Sequence, residues 1–173
     1  MSSKKRPSSW PILALVLALV LFAAGATAAP AASPPAPVAP VNVAAGIGIK
    51  GYDAVAYFIS GKPTPGVERF AYAWKGVTYR FASAQNLERF KADPEKYLPQ
   101  YGGYCAYAMS VNRIADIDPA RWAIVEGKLY LNNNRISYGL WALDKSGNIV
   151  AGDHNWVAFP KTTQSAATDE TAR

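Results

Sequence analysis

The sequence predicts an α+β fold: a small antiparallel sheet of two hairpins with short helices packed on it. Two hairpin patterns carry this expectation, together with a set of capped segments bearing apolar residues. Phe70-Ala71-Tyr72-Ala73-Trp74 and Val77-Thr78-Tyr79-Arg80-Phe81 alternate large and small or polar side chains around Lys75-Gly76. That is the period of a strand with one buried face, joined by a two-residue turn. Pairing about the turn sets Trp74 against Val77, Tyr72 against Tyr79 and Phe70 against Phe81, with all six on one face. Trp122–Val125 and Lys128–Leu131 repeat the pattern around Glu126-Gly127, matching Ile124 with Leu129 and Trp122 with Leu131.

The remaining elements follow in order. Gly51-Tyr52-Asp53 reads as a turn with Asp53 capping a short helix over 54–58. Pro63 and Pro65 mark a loop. Ser83 caps a helix whose apolar stripe is Leu87 and Phe90. Asp93-Pro94 ends it, and Pro94 opens another turn of helix through Tyr97. Tyr101-Gly102-Gly103-Tyr104-Cys105-Ala106-Tyr107 follows, two glycines and three tyrosines around the only cysteine. A helix over 104–110 puts Tyr104, Ala108 and Val111 on one face. Asn132-Asn133-Asn134 stops the last strand and caps a helix carrying Ile136, Leu140 and Trp141. Gly147 breaks that helix, and 149–156 forms a last short helix or turn.

Composition bounds the function. Half of the 173 residues are apolar, and five Trp and ten Tyr supply a ring-rich core. Residues 1–28 read as a signal peptide: Lys4-Lys5-Arg6, the apolar run 12–24, then a small-x-small site at Ala26-Thr27-Ala28. The alternative is an uncleaved N-terminal anchor. Either places the domain outside the cytoplasm, periplasmic or secreted. Residues 29–43 are a Pro/Ala-rich linker, 44–160 the domain, and 161–173 a polar tail expected to be disordered. Beyond residue 28 there are 15 basic and 12 acidic side chains, a balance of +3 (15 − 12). With no Lys/Arg run in the domain, nucleic acid is excluded as a partner. One cysteine excludes an internal disulfide framework and a zinc site of several thiolates.

Gly76-Val77-Thr78-Tyr79-Arg80-Phe81-Ala82-Ser83, then Phe90 and Asp93-Pro94-Glu95-Lys96-Tyr97, resembles the YHS domain family. Gly51–Phe58 looks like that family's opening motif. The 101–107 stretch, 122–132 and Asn155-Trp156 extend the likeness across 46–157, toward an exported bacterial branch that includes selenoproteins. The resemblance implies a small α+β module linked to heavy metals, copper above all. The chain departs from the metal-binding pattern at three places. Ala56, Ala82 and Asn86 stand where metal-binding relatives carry cysteine, so the likeness carries over the fold and not the usual metal site.

Candidate chemistry therefore centres on Cys105, as a reactive thiol or a soft-metal ligand. Reactivity requires thiolate, so the expected setting is partly exposed and electropositive. Met109, four residues on, offers a second sulfur for copper or another soft ion. The competing reading of Cys105 is a buried, inert side chain. His154 is a candidate ligand or base, or else a surface residue. Asp53, Tyr57 and Tyr104 are candidate supporting groups, with helix capping the alternative for Asp53. Three functions compete: a metal- or thiol-linked binding module acting through Cys105, a thiol redox enzyme needing a partner thiol, and a non-catalytic interaction domain.

Overall fold

The computed structural model describes residues 39–162. The signal or anchor segment, most of the linker and nearly all of the tail lie outside the described residues. The element order is β1 (Val43–Ala44), β2 (Ile47–Gly48), α1 (Ala54–Ile59), β3 (Val67–Trp74), β4 (Val77–Phe81), α2 (Ala84–Ala92) and α3 (Pro94–Tyr97). Then come α4 (Ala106–Ser110), β5 (Asp118–Val125), β6 (Lys128–Asn132), α5 (Arg135–Leu143) and α6 (Lys145–Ala158). The class is α+β. Among the described residues, no helix is long and apolar enough to cross a membrane.

Both hairpins form where the alternation places them. Lys75-Gly76 and Glu126-Gly127 all have positive φ, the backbone that two-residue hairpin turns require. Trp74 pairs Val77 and Tyr72 pairs Tyr79; Ile124 pairs Leu129 and Trp122 pairs Leu131. Phe70 does not pair Phe81, because β3 bulges between Val67 and Ala71 and Val67 takes that partner. Phe70 still turns inward onto the core, with the Arg69 guanidinium 4.7 Å above its ring.

The hairpins do not share one sheet. β3 and β4 belong to a four-stranded sheet in the order β1-β2-β4-β3, with β2 running parallel to β4; β5 and β6 form a separate two-stranded sheet. The reason lies in β6, which is buried from Leu129 to Asn132. Its side chains alternate between two cores. Leu129 and Leu131 join Phe81, Phe90, Tyr79 and Tyr57 in the first, while Tyr130 joins Tyr101, Met109 and Trp141 in the second. Helices therefore lie on both sides of this hairpin rather than on one.

Capping fixes the helices. Ser83 Oγ accepts the Asn86 N–H at 3.1 Å, and Asn134 Oδ1 accepts that of Ser137 at 2.9 Å. Phe90, on α2, meets Phe81 at 4.9 Å and Tyr79 at 5.2 Å between ring centroids. On α5 only Trp141 turns inward; Ile136 is 75% exposed. The break after α5 is at Asp144, not Gly147. The Asp144 carboxylate accepts the Gly147 N–H at 2.9 Å and starts α6, which runs fourteen residues. α4 begins at Ala106, so Tyr104 precedes it and Val111, 47% exposed, follows it.

Candidate functional site

Cys105 sits in the N-cap position of α4, one residue before the helix. Its main-chain N–H donates to the Ala115 carbonyl at 3.0 Å. Its sulfur accepts two backbone N–H groups, from Asn133 at 3.2 Å and Ala108 at 3.5 Å. Its S–H lies 3.7 Å from Asn132 Oδ1, which also accepts the Tyr107 N–H at 3.1 Å. The sulfur thus joins the start of α4 to the junction of β6 and α5. Cys105 is 1% exposed. That overturns the expected part-exposed setting: the cap geometry turns the sulfur into the protein rather than toward solvent.

The other sulfur and the imidazole do not complete a ligand set. Met109 is fully buried and packs in the second core with Tyr130 and Trp141. His154 is exposed on α6, with Nδ1 3.4 Å from Asn155 Oδ1. Among the described residues, no group of three or more His, Cys, Asp or Glu side chains is placed to hold a metal ion.

Asp53 is a second centre, fully buried. Its Oδ1 accepts the N–H groups of Val55 at 2.8 Å and Ala56 at 3.1 Å, capping α1. Its Oδ2 accepts the Ala82 N–H at 2.8 Å and Asn86 Nδ2 at 2.7 Å, tying α1 to the link between β4 and α2. An ionised carboxylate offers about four acceptor positions, and these four donors use them. Beside it, Tyr57 Oη donates to the Pro119 carbonyl at 3.0 Å. Burial, with the charges of Tyr52, Asp118 and Asp53 behind it, pushes the Tyr57 hydroxyl well up from its ordinary range.

The third centre is the double-glycine bend, and it receives the chain's own N-terminal strap. Tyr101, Gly102 and Gly103 all have positive φ. The strap residues Ala39–Asn42 lie across them. Asn42 N–H donates to the Gly102 carbonyl at 2.8 Å, and Asn42 Nδ2 to the Gly103 carbonyl at 3.1 Å and Asp116 Oδ1 at 3.0 Å. Tyr104 Oη donates to the Ala39 carbonyl at 3.1 Å. A Cβ on Gly102 would collide with the Pro40 carbonyl oxygen, so only glycine permits this approach. The bend accommodates the strap, which accounts for the glycines without reference to the sulfur. Tyr101 Oη, on the other side, donates to Asp153 Oδ1 at 3.0 Å and lies 3.3 Å from the Ile149 carbonyl. Burial first and then that bond to Asp153 drive the Tyr101 hydroxyl well up from its ordinary range.

Residues 55–101 match the model of the YHS domain. The chain carries a YHS domain. Comparison with curated proteins and with solved structures gives no match. YHS domains are a metal-associated family, so the fit of these residues to a soft ion can be tested on the geometry. Ala56, Ala82 and Asn86, where the family resemblance puts cysteines, all converge on Asp53: each donates to its carboxylate. Ala56 and Ala82 donate through their main chain and carry no donor atom in their side chains, and Asn86 Nδ2 is already committed to the Asp53 carboxylate. These residues do not fit a soft-metal site. Cys105, Met109 and His154 lie beyond the matched stretch.

Sequence reasoning did not find Asn132, the strap seat or the bond between Tyr101 and Asp153. Asn132 had one available signal, an amide placed inside a strand that otherwise alternates apolar residues. The strap had none, because a Pro/Ala-rich stretch carries no pattern that says where it docks.

Proposed function

We propose that this chain is an exported YHS-domain recognition module with no catalysis of its own, in which Cys105 is a structural thiol. The observation that carries the reading is the state of the sulfur: buried, contacted by two N–H donors and one acceptor. A thiol in redox turnover must meet its oxidant and then an external resolving thiol. A sulfur 1% exposed offers neither a path. Export rests on the basic, apolar and small-x-small order of residues 4–28.

A second reading keeps Cys105 as a soft-ion or thiol-linked centre. The two backbone N–H groups aimed at the sulfur favour it, because they give that atom a shaped polar setting that an inert apolar side chain would not need. Anaerobic Cu(I) titration against a competing chelator separates the two. The recognition reading expects wild type and Cys105→Ser to retain the same number of ions. One tightly held ion present in wild type and missing in Cys105→Ser overturns it in favour of the second reading.

A further inference from the structure

We infer that the Gly102–Gly103 seat is a recognition groove for a short proline-bearing peptide that bends at its proline, held in the resting chain by its own Ala39–Asn42 strap. The inference rests on the recognition reading above and names its partner class.

The strap is bound as a peptide ligand is bound. Its backbone is held at both ends, by Tyr104 Oη on the Ala39 carbonyl and by the Gly102 carbonyl on the Asn42 N–H. Between them, Val41 packs against the first core. Pro40 offers no N–H, and its carbonyl lies against Gly102, where any side chain would block it. Asn42 sets the register through Gly103 and Asp116. The strap bends at Pro40 and Val41 and is held by hydrogen bonds at both ends, with one apolar pocket and one polar anchor between them, a set of contacts through which a groove can hold a short peptide. Proline lowers the cost of ordering such a ligand because its φ is already fixed.

The groove also extends past the strap. From Gly102 a cleft of about 480 Å³ opens, lined by the rings of Tyr101 and Trp156 and by the charged side chains of Lys75, Glu95, Lys128 and Asp153. Trp156 stands 6.3 Å from both the Tyr101 and Tyr104 ring centroids. This aromatic wall adjoins the point where Pro40 meets Gly102. A longer peptide seated as the strap is seated has a surface to continue along on which rings and charges of both signs are mixed. A small cavity of about 50 Å³ beneath the strap, between Val41, Ile49, Tyr79 and Leu98, leaves room for a side chain somewhat different from valine.

The strap is tethered, so a free peptide must compete against a high local concentration of it. Wild type should therefore bind an external peptide weakly, and a chain with a disabled strap should bind it better. The test uses the full chain and a synthetic peptide of the strap sequence, Ala-Pro-Val-Asn, capped at both ends. Binding is followed by NMR at the Gly102 and Gly103 amides. Val41→Asp releases the strap and should tighten peptide binding at least about tenfold over wild type. Adding Gly102→Ala to Val41→Asp should abolish the gain. Tyr104→Phe in the same background, which keeps the ring and loses one hydrogen bond, should weaken it. Equal affinity in wild type and Val41→Asp, or no change at Gly102 and Gly103 in any variant, overturns the inference. Cys105 alkylation measured on the same samples reports on the structural-thiol proposal separately.

Discussion

Asp53 is the residue on which the YHS portion turns. Four donors converge on its carboxylate, two from α1, one from the β4–α2 link and one from α2 itself. Asp53→Ala strips all four at once in a fully buried place, leaving the Ala82 N–H and Asn86 Nδ2 without their partner. At about 1–3 kcal/mol for each buried group left unsatisfied, the expected loss is about 3–5 kcal/mol by denaturant unfolding. A loss under about 1 kcal/mol contradicts the assignment. The sequence showed half of this. Asp53 was legible as a helix cap because a capping carboxylate precedes an apolar run. Its other oxygen was not legible, since nothing local says that residues 82 and 86 will arrive there. Cys105 is the reverse case. Its singularity drew attention, but a lone cysteine among tyrosines reads the same whether reactive or buried, and only the Asn132 and Asn133 contacts distinguish them.

At the scale of elements, the hairpins were legible because alternation and a two-residue turn fix both pairing and face. The bulge at Phe70 was not, since an inward ring satisfies the pattern with or without regular pairing. β6 shows the limit most clearly. Its Leu129 and Leu131 matched the expected buried face, but Tyr130 is buried on the opposite face because α4, α5 and α6 cover it. A single alternating strand does not announce a second core. The buried tyrosines give a prediction at this scale. Burial, and then the Glu95 charge, push the Tyr79 hydroxyl up to about 12 from its ordinary value of 10.0. Burial raises the Tyr57 and Tyr101 hydroxyls further in the same direction. For a group whose folded pKa is raised, the stabilisation is complete below the unfolded pKa and is lost as pH climbs toward the folded one. Unfolding free energy should hold steady below about pH 10 and fall steeply between about pH 10 and about pH 12. Tyr79→Phe should make that fall shallower. A slope unchanged by Tyr79→Phe contradicts the burial of that hydroxyl.

At the scale of the molecule, two cores share one hairpin, and the strap closes over the bend between them. The YHS match stops at Tyr101. Outside the matched stretch lie the sulfur and its amide partner, the long α6, and the Gly102–Gly103 seat with the strap that fills it. Ala56, Ala82 and Asn86 bring no thiol to the matched stretch, and the one thiol of the chain is engaged by its surroundings. The most direct measurement is the alkylation rate of Cys105 in the native full chain, followed across pH and denaturant. A structural thiol reacts only as fast as the domain opens, so the rate should rise with denaturant in step with unfolding and stay far below that of a free thiol. Rapid native-state alkylation, with a thiol titrating well below the ordinary cysteine range and no dependence on denaturant, would contradict the account.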